Sequence, residues 1–257
     1  MPLEKIIISI ETILYKEVKR FTRIWSQTLL PPIVTTLLYF VIFGQFIGSQ
    51  IAHIDGLSYM QFIIPGLVMM AIINGSFQNT VSSFFMSKMM KDLEEMLVSP
   101  MPAWAIVIGF VLGGVTRGML LGVMVLITSL FFAQFSVQSF AYIIIFSLLT
   151  SVTFALLGLI NGIYAKGPDG ISLIPTFVLT PLTYLGGVFY SIKLLPVFWQ
   201  KVSLINPVLY MVNGFRYGLL GVSDVSVLLS VAVLIGCIVV LAVWTLYLFK
   251  IGRGMQM

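Results

Sequence analysis

Few side chains in this sequence of 257 residues could do acid–base, redox or metal chemistry. It has one histidine, His53, one cysteine, Cys237, and nine aspartates and glutamates, which fall in predicted loops or near the ends of apolar segments. We find neither a histidine cluster nor an intramembrane carboxylate pair, and a single cysteine allows no disulfide within the chain. We therefore expect no catalytic residues, no metal site and no cofactor.

What the sequence offers instead is polar groups along the faces of apolar segments, where a ligand could bind. Two such faces occur, with Asn74, Gln78 and Ser82 on the first and Ser172, Thr176, Thr180 and Thr183 on the second. Polar side chains without partners are costly in lipid, so each face should meet protein or water. Two interpretations stay open. Either these residues, apart from Ser172, line a substrate path, or they only join neighbouring helices through hydrogen bonds.

A charged, amphipathic segment, 86–102, separates two apolar stretches of more than about 20 residues, a length that can cross a bilayer. Pro100 and Pro102 should close its helix. Its apolar positions recur at steps of three and four and should share one helical face; they are Met86, Met89, Met90, Leu93 and Leu97. A short polar helix between two spans must lie at a membrane surface, where a soluble partner can reach it. The alternative is a solvated helix that merely joins the spans.

The composition requires a membrane. Hydrophobic residues make up 59% of the chain and charged residues 9%, whereas soluble domains have about 45–50% and about 25%. The net charge of +5 therefore does not indicate a nucleic-acid partner. The basic residues instead mark the loops that stay in the cytoplasm. No GxxxxGK(S/T) stretch occurs, so the chain has no phosphate-cradling loop, and any energy from ATP must come from another polypeptide.

The pattern predicts an all-α membrane protein that forms a single domain over 1–257. Residues 4–25 read as an amphipathic helix in the membrane interface, with an apolar stripe opposite four basic residues. Six spans are predicted, at about 28–48, 61–85, 103–132, 140–164, 171–190 and 225–249. A loop with His53 and Asp55 precedes the second span, and Pro175 and Pro181 should kink the fifth. Prolines and glycines interrupt 191–224 too often for a span, so we predict two short re-entrant helices there.

Basic residues fix the predicted orientation, because loops rich in Lys and Arg stay in the cytoplasm. With six spans, ten basic residues fall on one side and three on the other. The ten are Lys5, Lys16, Lys19, Arg20, Arg23, Lys88, Lys91, Lys166, Lys250 and Arg253, and the three are Lys193, Lys201 and Arg216. Both termini and the segment 86–102 are thus predicted to be cytoplasmic.

One basic residue, Arg117, falls within the third predicted span. An arginine at that depth either pairs helices within the protein or reaches water through a cavity. We favour the structural role, because no carboxylate within the predicted spans is available to pair with it.

Several stretches resemble the type 2 permease subunits of ATP-binding-cassette (ABC) exporters. SYMQFIIPGLVMM, at the second span, is similar to the family's Tyr-x-x-Phe…Pro-Gly-Leu pattern, and EEMLVSPMP to the Glu-x-Leu-x-Ser-Pro-x-Pro that follows it. PLTYLGGVFYSIKLLP and INPVLYMVNGFRYG resemble the family's C-terminal signature. These motifs occur in the family's order and cover the chain from about residue 25 to 225.

The resemblance implies an exporter of two such permeases and two ABC ATPase subunits in the bacterial inner membrane, surrounded by lipid. Segment 86–102 would be the coupling helix that enters a cleft of the ATPase, and 191–224 the re-entrant helices on the far side. The residues that would carry the coupling are Met89, Met90, Leu93, Glu94, Glu95 and Leu97. Family cargoes are hydrophobic, lipid-linked or glycan-type molecules.

Two other functions compete with this interpretation. A secondary transporter without an ATPase partner usually needs intramembrane carboxylates or broken helices to bind coupling ions. An intramembrane enzyme would need catalytic groups within the spans. The placement of the aspartates and glutamates in loops or near span ends argues against both.

Overall fold

The computed structural model describes residues 2–47, 56–252 and 254, and every element among them is helical. The predicted loop with His53 and Asp55, and Arg253, lie outside the described residues. The elements are α1 (Leu3–Arg23), α2 (Trp25–Thr28), α3 (Leu30–Tyr39), a π-helical segment (Phe40–Ile47), α4 (Tyr59–Met89), α5 (Asp92–Val98), α6 (Ala103–Ser129), α7 (Phe140–Tyr164), α8 (Pro168–Ile174), a second π-helical segment (Pro175–Leu179), α9 (Thr180–Tyr184), a 3₁₀ turn (Ile192–Leu194), α10 (Val197–Ile205), α11 (Pro207–Leu220) and α12 (Val227–Ile251).

Within the described residues, five helices are long and apolar enough to cross a membrane. They are Trp25–Gly44, Tyr59–Met89, Ala103–Ser129, Phe140–Tyr164 and Val227–Ile251. The predicted fourth span has the observed bounds of α7, and the second, third and sixth lie within a few residues of α4, α6 and α12. The first predicted span ends at Gly48, beyond the described part.

The fifth predicted span differs from the observed structure. Instead of one helix over 171–190, α8, a π-helical segment and α9 follow one another from Pro168 to Tyr184, and the chain then turns at Gly187, where φ is 71°. Pro175 and Pro181 lack the N–H groups that would continue an α-helical ladder, which explains the irregularity that the sequence predicted as a kink. We call Pro168–Tyr184 the fifth segment.

After the fifth segment the chain forms two short helices, α10 and α11, in the region predicted to be re-entrant. Asn206 separates them, and its side-chain oxygen accepts a hydrogen bond from Val208 N at 3.0 Å, which caps α11. Most of α11 is buried against α7, α12 and α4. Such burial satisfies the condition for helices that enter a membrane without crossing it.

Helix α4 lies at the centre of the bundle and packs along α6 and α7. Glycines allow this close approach. A Cβ atom at Gly118 would lie 3.1 Å from the carbonyl oxygen of Ile72, and one at Gly158 would lie 2.6 Å from that of Phe77. Small residues at helix contacts are the usual means by which membrane helices approach each other, because lipid supplies little hydrophobic drive for association.

Hydrogen bonds between distant segments define the two ends of the bundle. At the α5 end, Lys88 Nζ donates to the carbonyl oxygens of Ile163 (3.1 Å), Ala165 (2.9 Å) and Gly254 (3.1 Å), so α4, α7 and α12 all finish there. At the opposite end, the Ser139 N–H before α7 donates to the carbonyl oxygen of Gly218 at 2.8 Å. The chain therefore travels from one end to the other through the fifth segment.

Candidate functional site

The predicted coupling segment is not one continuous helix. Helix α4 ends at Met89, Lys91 adopts a left-handed conformation with φ 64°, and α5 begins at Asp92. Among the described residues, Lys91 is the only one other than glycine with positive φ. The turn changes the direction of the chain before α5. The five apolar residues that were predicted to share one helical face therefore do not lie on a single helix; they are Met86, Met89, Met90, Leu93 and Leu97.

The break at Lys91 divides those apolar residues into one anchor and an exposed group. Leu93 is fully buried among Phe84, Ile106 and Val107 and holds α5 against the bundle. The exposed group contains Met86, Met89, Met90, Leu97 and Val98, all at least 40% exposed. Glu94 and Glu95 are exposed as well. The end of α4, the turn and α5 thus form one surface that combines flexible apolar side chains, which can adapt to an irregular groove, with two carboxylates.

Helix α1 lies beside α5. The ammonium of Lys16 is 2.7 Å from the carboxylate of Asp92. A cavity of about 570 Å³ separates the two helices, and Ile13, Glu95 and Met96 are among its lining residues. Sequence analysis assigned α1 to the membrane interface, and the helix itself is present, but it also makes contacts within the bundle.

The buried face of α1 differs from the predicted apolar stripe. Of the residues predicted to form the stripe, Phe21 is buried, whereas Ile7 and Trp25 are exposed; the other buried residues of α1, Ile13 and Glu17, were not part of it. The predicted stripe consists of Ile7, Ile10, Leu14, Val18, Phe21 and Trp25. A Cβ at Gly113 of α6 would lie 2.6 Å from the Glu17 Cγ atom, so the two helices are in close contact there. The three buried residues recur every four positions, which is the spacing of one helical face. The face was not recognised in the sequence because its middle residue is a glutamate.

Glu17 is the main site residue that sequence analysis missed. The expectation that all carboxylates lie in loops or near span ends is wrong for Glu17, which is fully buried between α1, α4 and α6. Its carboxylate accepts hydrogen bonds from the Ser83 hydroxyl, from Asn79 Nδ2 at 3.1 Å and from Arg20 Nη2 at 3.1 Å. A charged carboxylate with three donors is satisfied, so its role here is to join helices.

Arg117 also joins helices. Its Nη2 donates to the carbonyl oxygen of Thr28 at 2.9 Å, which links α6 to the end of α2. This contact agrees with the structural role favoured from the sequence. Glu17 packs against Gly113 of α6, and Thr28 bonds to Arg117 of the same helix. The chain from the middle of α1 to the end of α2 is therefore held against α6 at two points.

The first predicted polar face coincides with the open side of α4. Between Ala71 and Lys88, the residues that are not buried are Asn74, Gln78, Ser82 and Met86, at intervals of four. The Asn74 and Ser82 side chains donate to the carbonyl oxygens of Met70 (2.9 Å) and Gln78 (2.6 Å) of their own helix. Asn74 also lines a cavity of about 280 Å³ between α3 and α4. Every other side of this stretch is covered by protein.

The second predicted polar face divides in two. Thr176 and Thr180 are exposed, and the Thr180 hydroxyl donates to the carbonyl oxygen of Pro175 at 2.9 Å. Thr183 is buried, 2% exposed, and donates to the carbonyl oxygen of Thr180 at 2.8 Å. Thr183 therefore faces protein, while the other two remain available to a ligand or a second chain.

A charged cluster at the opposite end was not predicted. Arg216, counted above among loop cations, is 1% exposed, donates to the Gly187 carbonyl oxygen at 2.7 Å and lies 4.0 Å over the Phe62 ring. Asp224 accepts from the Ser191 hydroxyl at 2.8 Å and pairs with Lys193 at 3.4 Å. These contacts fasten the start and end of 191–224 to each other. Among the described residues, no cluster of His, Cys, Asp or Glu could hold a metal.

The comparison with known proteins agrees with this arrangement. Residues 9–220 match the model of the ABC-2 type transporter family. The chain belongs to that family. It is 51% identical over 249 residues to the inner membrane transport permease YadH of Escherichia coli K12, with 97% of each chain covered. It is 25% identical over 221 residues to nodulation protein J of Rhizobium leguminosarum bv. viciae, with 84% of this chain and 85% of that one covered.

Membership makes the chain a membrane-embedded subunit of the ABC-2 transporter type and confirms the resemblance seen in the motifs. The matched region contains α5, α4 with its open polar stripe, and the two short helices α10 and α11. Members of one family keep the fold more closely than the cargo, so the family does not specify the substrate.

Proposed function

We propose that the chain is the permease subunit of an ABC exporter in the bacterial inner membrane. Two copies would work with two copies of a separate ATPase subunit and move a hydrophobic, lipid-linked or glycan-type substrate out of the cell. The observation that carries the proposal is the surface formed by the end of α4, the turn at Lys91 and α5, which presents exposed methionines and the carboxylates of Glu94 and Glu95 at one end of a membrane bundle. An isolated permease has no use for such a surface.

The six-span topology belongs to this proposal. Five helices are long enough to span, and the fifth segment supplies the additional crossing, because α7 ends beside Lys88 and α12 begins beside Asn213 at the opposite end. With the α5 end in the cytoplasm, both termini are cytoplasmic and 191–224 lies on the far side. The Lys88 contact with Gly254 supports this, because it holds the end of α12 next to the end of α4.

Force would enter at the exposed residues of α5 and pass into the bundle through two contacts. Leu93 connects α5 to α4 and α6 by burial, and the Lys16–Asp92 pair connects it to α1. Helix α1 is in turn fixed to α4 through Glu17, Asn79 and Ser83. The proposed docking residues are therefore Met89, Met90, Glu94, Glu95 and Leu97, with Leu93 as their anchor.

The open stripe of α4 is the proposed wall of the substrate path. Asn74, Gln78 and Ser82 are the only polar groups on that side of α4 between Ala71 and Lys88, and lipid would leave their remaining hydrogen-bond capacity unused. Thr176 and Thr180 would contribute from the fifth segment. A second copy facing this stripe would enclose the path, and the buried Thr183 would support the segment without touching substrate.

Secondary transport is the competing proposal, and Glu17 is the observation that bears on it. A buried carboxylate beside spanning helices resembles a proton or ion site. However, Glu17 is paired with Arg20 and accepts two further hydrogen bonds, so its contacts are those of a residue that joins helices. The ATP-driven function fits the contacts better.

The decisive experiment reconstitutes the chain with a candidate ABC ATPase subunit from the same organism. We expect the two to purify as a complex and the ATPase activity to rise when a transported compound is added. A Glu94→Lys variant should insert into membranes and lose the complex, while an exposed change on α1 away from α5, Glu4→Lys, should retain it. A chain that transports with full activity in the absence of any ATPase would refute the proposal and favour secondary transport.

A further inference from the structure

A cavity of about 540 Å³ opens at the α5 end, where α7 finishes and the fifth segment begins. Two opposite charges line it, Lys166 and Asp169, together with Asn161 and Tyr164. Both charged side chains are exposed, and neither forms an ion pair with any described residue. The cavity therefore offers one cation and one anion, three positions apart in the sequence, to a ligand at the membrane surface.

A second cavity, of about 530 Å³, lies between α7, the fifth segment and α12. Its walls are almost entirely apolar, with Phe154, Leu157, Val178 and Val240 among the lining residues. It lies near the middle of α7 and of α12, at the level of the hydrocarbon core in a bilayer. Only 11% of the most apolar stretch of α12 is buried by other parts of the protein. The cavity therefore borders the surface that contacts lipid.

The two cavities follow one another along the same seam. On α7, Leu157 lines the apolar cavity and Asn161 the charged one; on the fifth segment, Val178 lines the apolar cavity and Ile174 the charged one. Each pair is four residues apart, which is one helical turn, or about 6 Å. Along the bundle axis, a charged chamber at the membrane surface thus leads to an apolar chamber in the membrane interior.

We propose that the two chambers together bind one phospholipid of the leaflet at the α5 end. The headgroup would lie beside Lys166 and Asp169, and one acyl chain would occupy the apolar chamber against α12. A phosphate accepts hydrogen bonds from an ammonium, and a carboxylate pairs with a headgroup amine. This pair of charges fits a headgroup with both groups, as in phosphatidylethanolamine, better than one with a phosphate alone.

Aromatic side chains mark the depth at which the headgroup would lie. The rings of Tyr164 and Trp244 are 6.4 Å apart, and both are exposed beside the charged chamber. Tyrosine and tryptophan concentrate at the headgroup level of membranes. A lipid with its headgroup at this level has its acyl chains in the direction of Leu157 and Val240.

The tail half of the proposal can be tested in lipid nanodiscs. The full chain is reconstituted with phosphatidylethanolamine carrying a photoreactive diazirine in the acyl chain, irradiated, and the labelled peptides are mapped by mass spectrometry. We expect labels to concentrate on residues 153–157, 178–182 and 233–241. A Gly236→Phe change should remove them, because a Cβ at Gly236 has no neighbouring atom within 4 Å and points into open space. The matched control is Ile235→Phe, at an exposed position one residue away, which should keep them.

The headgroup half uses native mass spectrometry to count retained lipids. Lys166→Gln should lower phosphatidylethanolamine retention about fivefold, as expected for one lysine at a lipid surface. Asp169→Asn should abolish the preference over phosphatidylglycerol, which lacks the amine. Lys250→Gln, at an exposed lysine near the same leaflet, is the control and should change neither.

Several results would overturn the site. Labels spread evenly over the exposed face of α12 would show ordinary surface lipid, and crosslinks between Cys237 of two copies would show that a second chain covers the apolar chamber. An unchanged headgroup preference in Asp169→Asn would refute the assignment of the charged chamber. If Gly236→Phe does not fold, Val240→Trp fills the same chamber from an exposed position. None of these measurements requires ATP hydrolysis, so their failure is separate from failure of the proposed function.

Discussion

Lys16 of α1 and Asp92 of α5 are separated by 76 positions in the sequence, yet their charged groups lie 2.7 Å apart. The pair is about 40% exposed on each side, and such surface pairs stabilise proteins by only about 0.2–1 kcal/mol. The contact therefore adds little to stability, and in the proposed function its role is to connect α5 to α1.

We predict that Lys16→Gln and Asp92→Asn each leave the thermal unfolding temperature within experimental error and weaken the stimulation of the partner ATPase by substrate. The double exchange Lys16→Asp with Asp92→Lys should restore part of it, because the pair can form in reverse. ATPase assays of the reconstituted complex check this. Normal coupling in both single variants would show that the pair transmits nothing.

Substitution of Glu17 should destabilise the protein far more than substitution of Lys16 or Asp92. Glu17→Ala leaves Arg20 without its carboxylate and removes the acceptor of Ser83 and Asn79, and breaking a buried pair in this way costs about 3–5 kcal/mol. We expect a large fall in the unfolding temperature of the purified chain. Glu11→Ala, on the exposed side of the same helix, should have a small effect. Equal shifts in the two variants would contradict the burial of Glu17.

Leu93 and Leu97 should separate anchoring from docking. Leu93→Ala removes a fully buried side chain, and such changes cost about 2–5 kcal/mol of stability. Leu97 is 40% exposed, so Leu97→Ala should leave stability nearly unchanged and weaken binding of the ATPase subunit. Thermal unfolding and co-purification measure the two effects. If Leu97→Ala binds the ATPase normally while Leu93→Ala is stable, the roles are reversed.

The topology can be tested with single cysteines on a Cys237→Ser background. Lys201 lies in α10 and is exposed, so a Lys201→Cys variant should react with a membrane-impermeant maleimide from outside spheroplasts. Lys5→Cys, in α1, should react only after lysis. Labelling of the α10 cysteine from the cytoplasm alone would reduce the number of crossings.

The substrate path predicts different outcomes from simple helix pairing. Asn74→Leu and Thr180→Val should change which compounds stimulate ATP hydrolysis while assembly of the complex survives. The control is Thr183→Val, at a buried position, which should affect stability first. Cysteines at positions 74 or 180 should crosslink between two copies in some nucleotide state. Variants that only weaken assembly would support helix pairing instead.

Long apolar runs bounded by prolines and charges predicted α4, α6, α7 and α12 to within a few residues, because length and polarity decide where a helix can cross lipid. The same rules placed the break of the fifth segment, since Pro175 and Pro181 remove backbone donors. They could not place the turn at Lys91. A left-handed lysine carries no local signal, and the burial of Leu93 just after it depends on core residues that are distant in the sequence.

Glu17 and Arg216 show the same limit of local reasoning. The sequence analysis placed the carboxylates, Glu17 among them, in loops or near span ends, and counted Arg216 among the basic residues of the far side; buried charges are rare. Their burial depends on partners distant in sequence, Asn79 and Ser83 for one and Gly187 and Phe62 for the other. Only the folded bundle brings these groups together.

The enclosure of α4 restricts how the transporter can work. With all but one stripe of the helix fitted against α6, α7 and α11, neither rotation nor sliding of α4 is possible without opening voids in a close-packed interior. In the proposed exporter of two copies, these four helices would travel as one rigid body, so access to the two sides of the membrane would alternate by rocking of whole subunits against each other. Bending is left to the fifth segment, where the π-helical turn already interrupts the regular ladder.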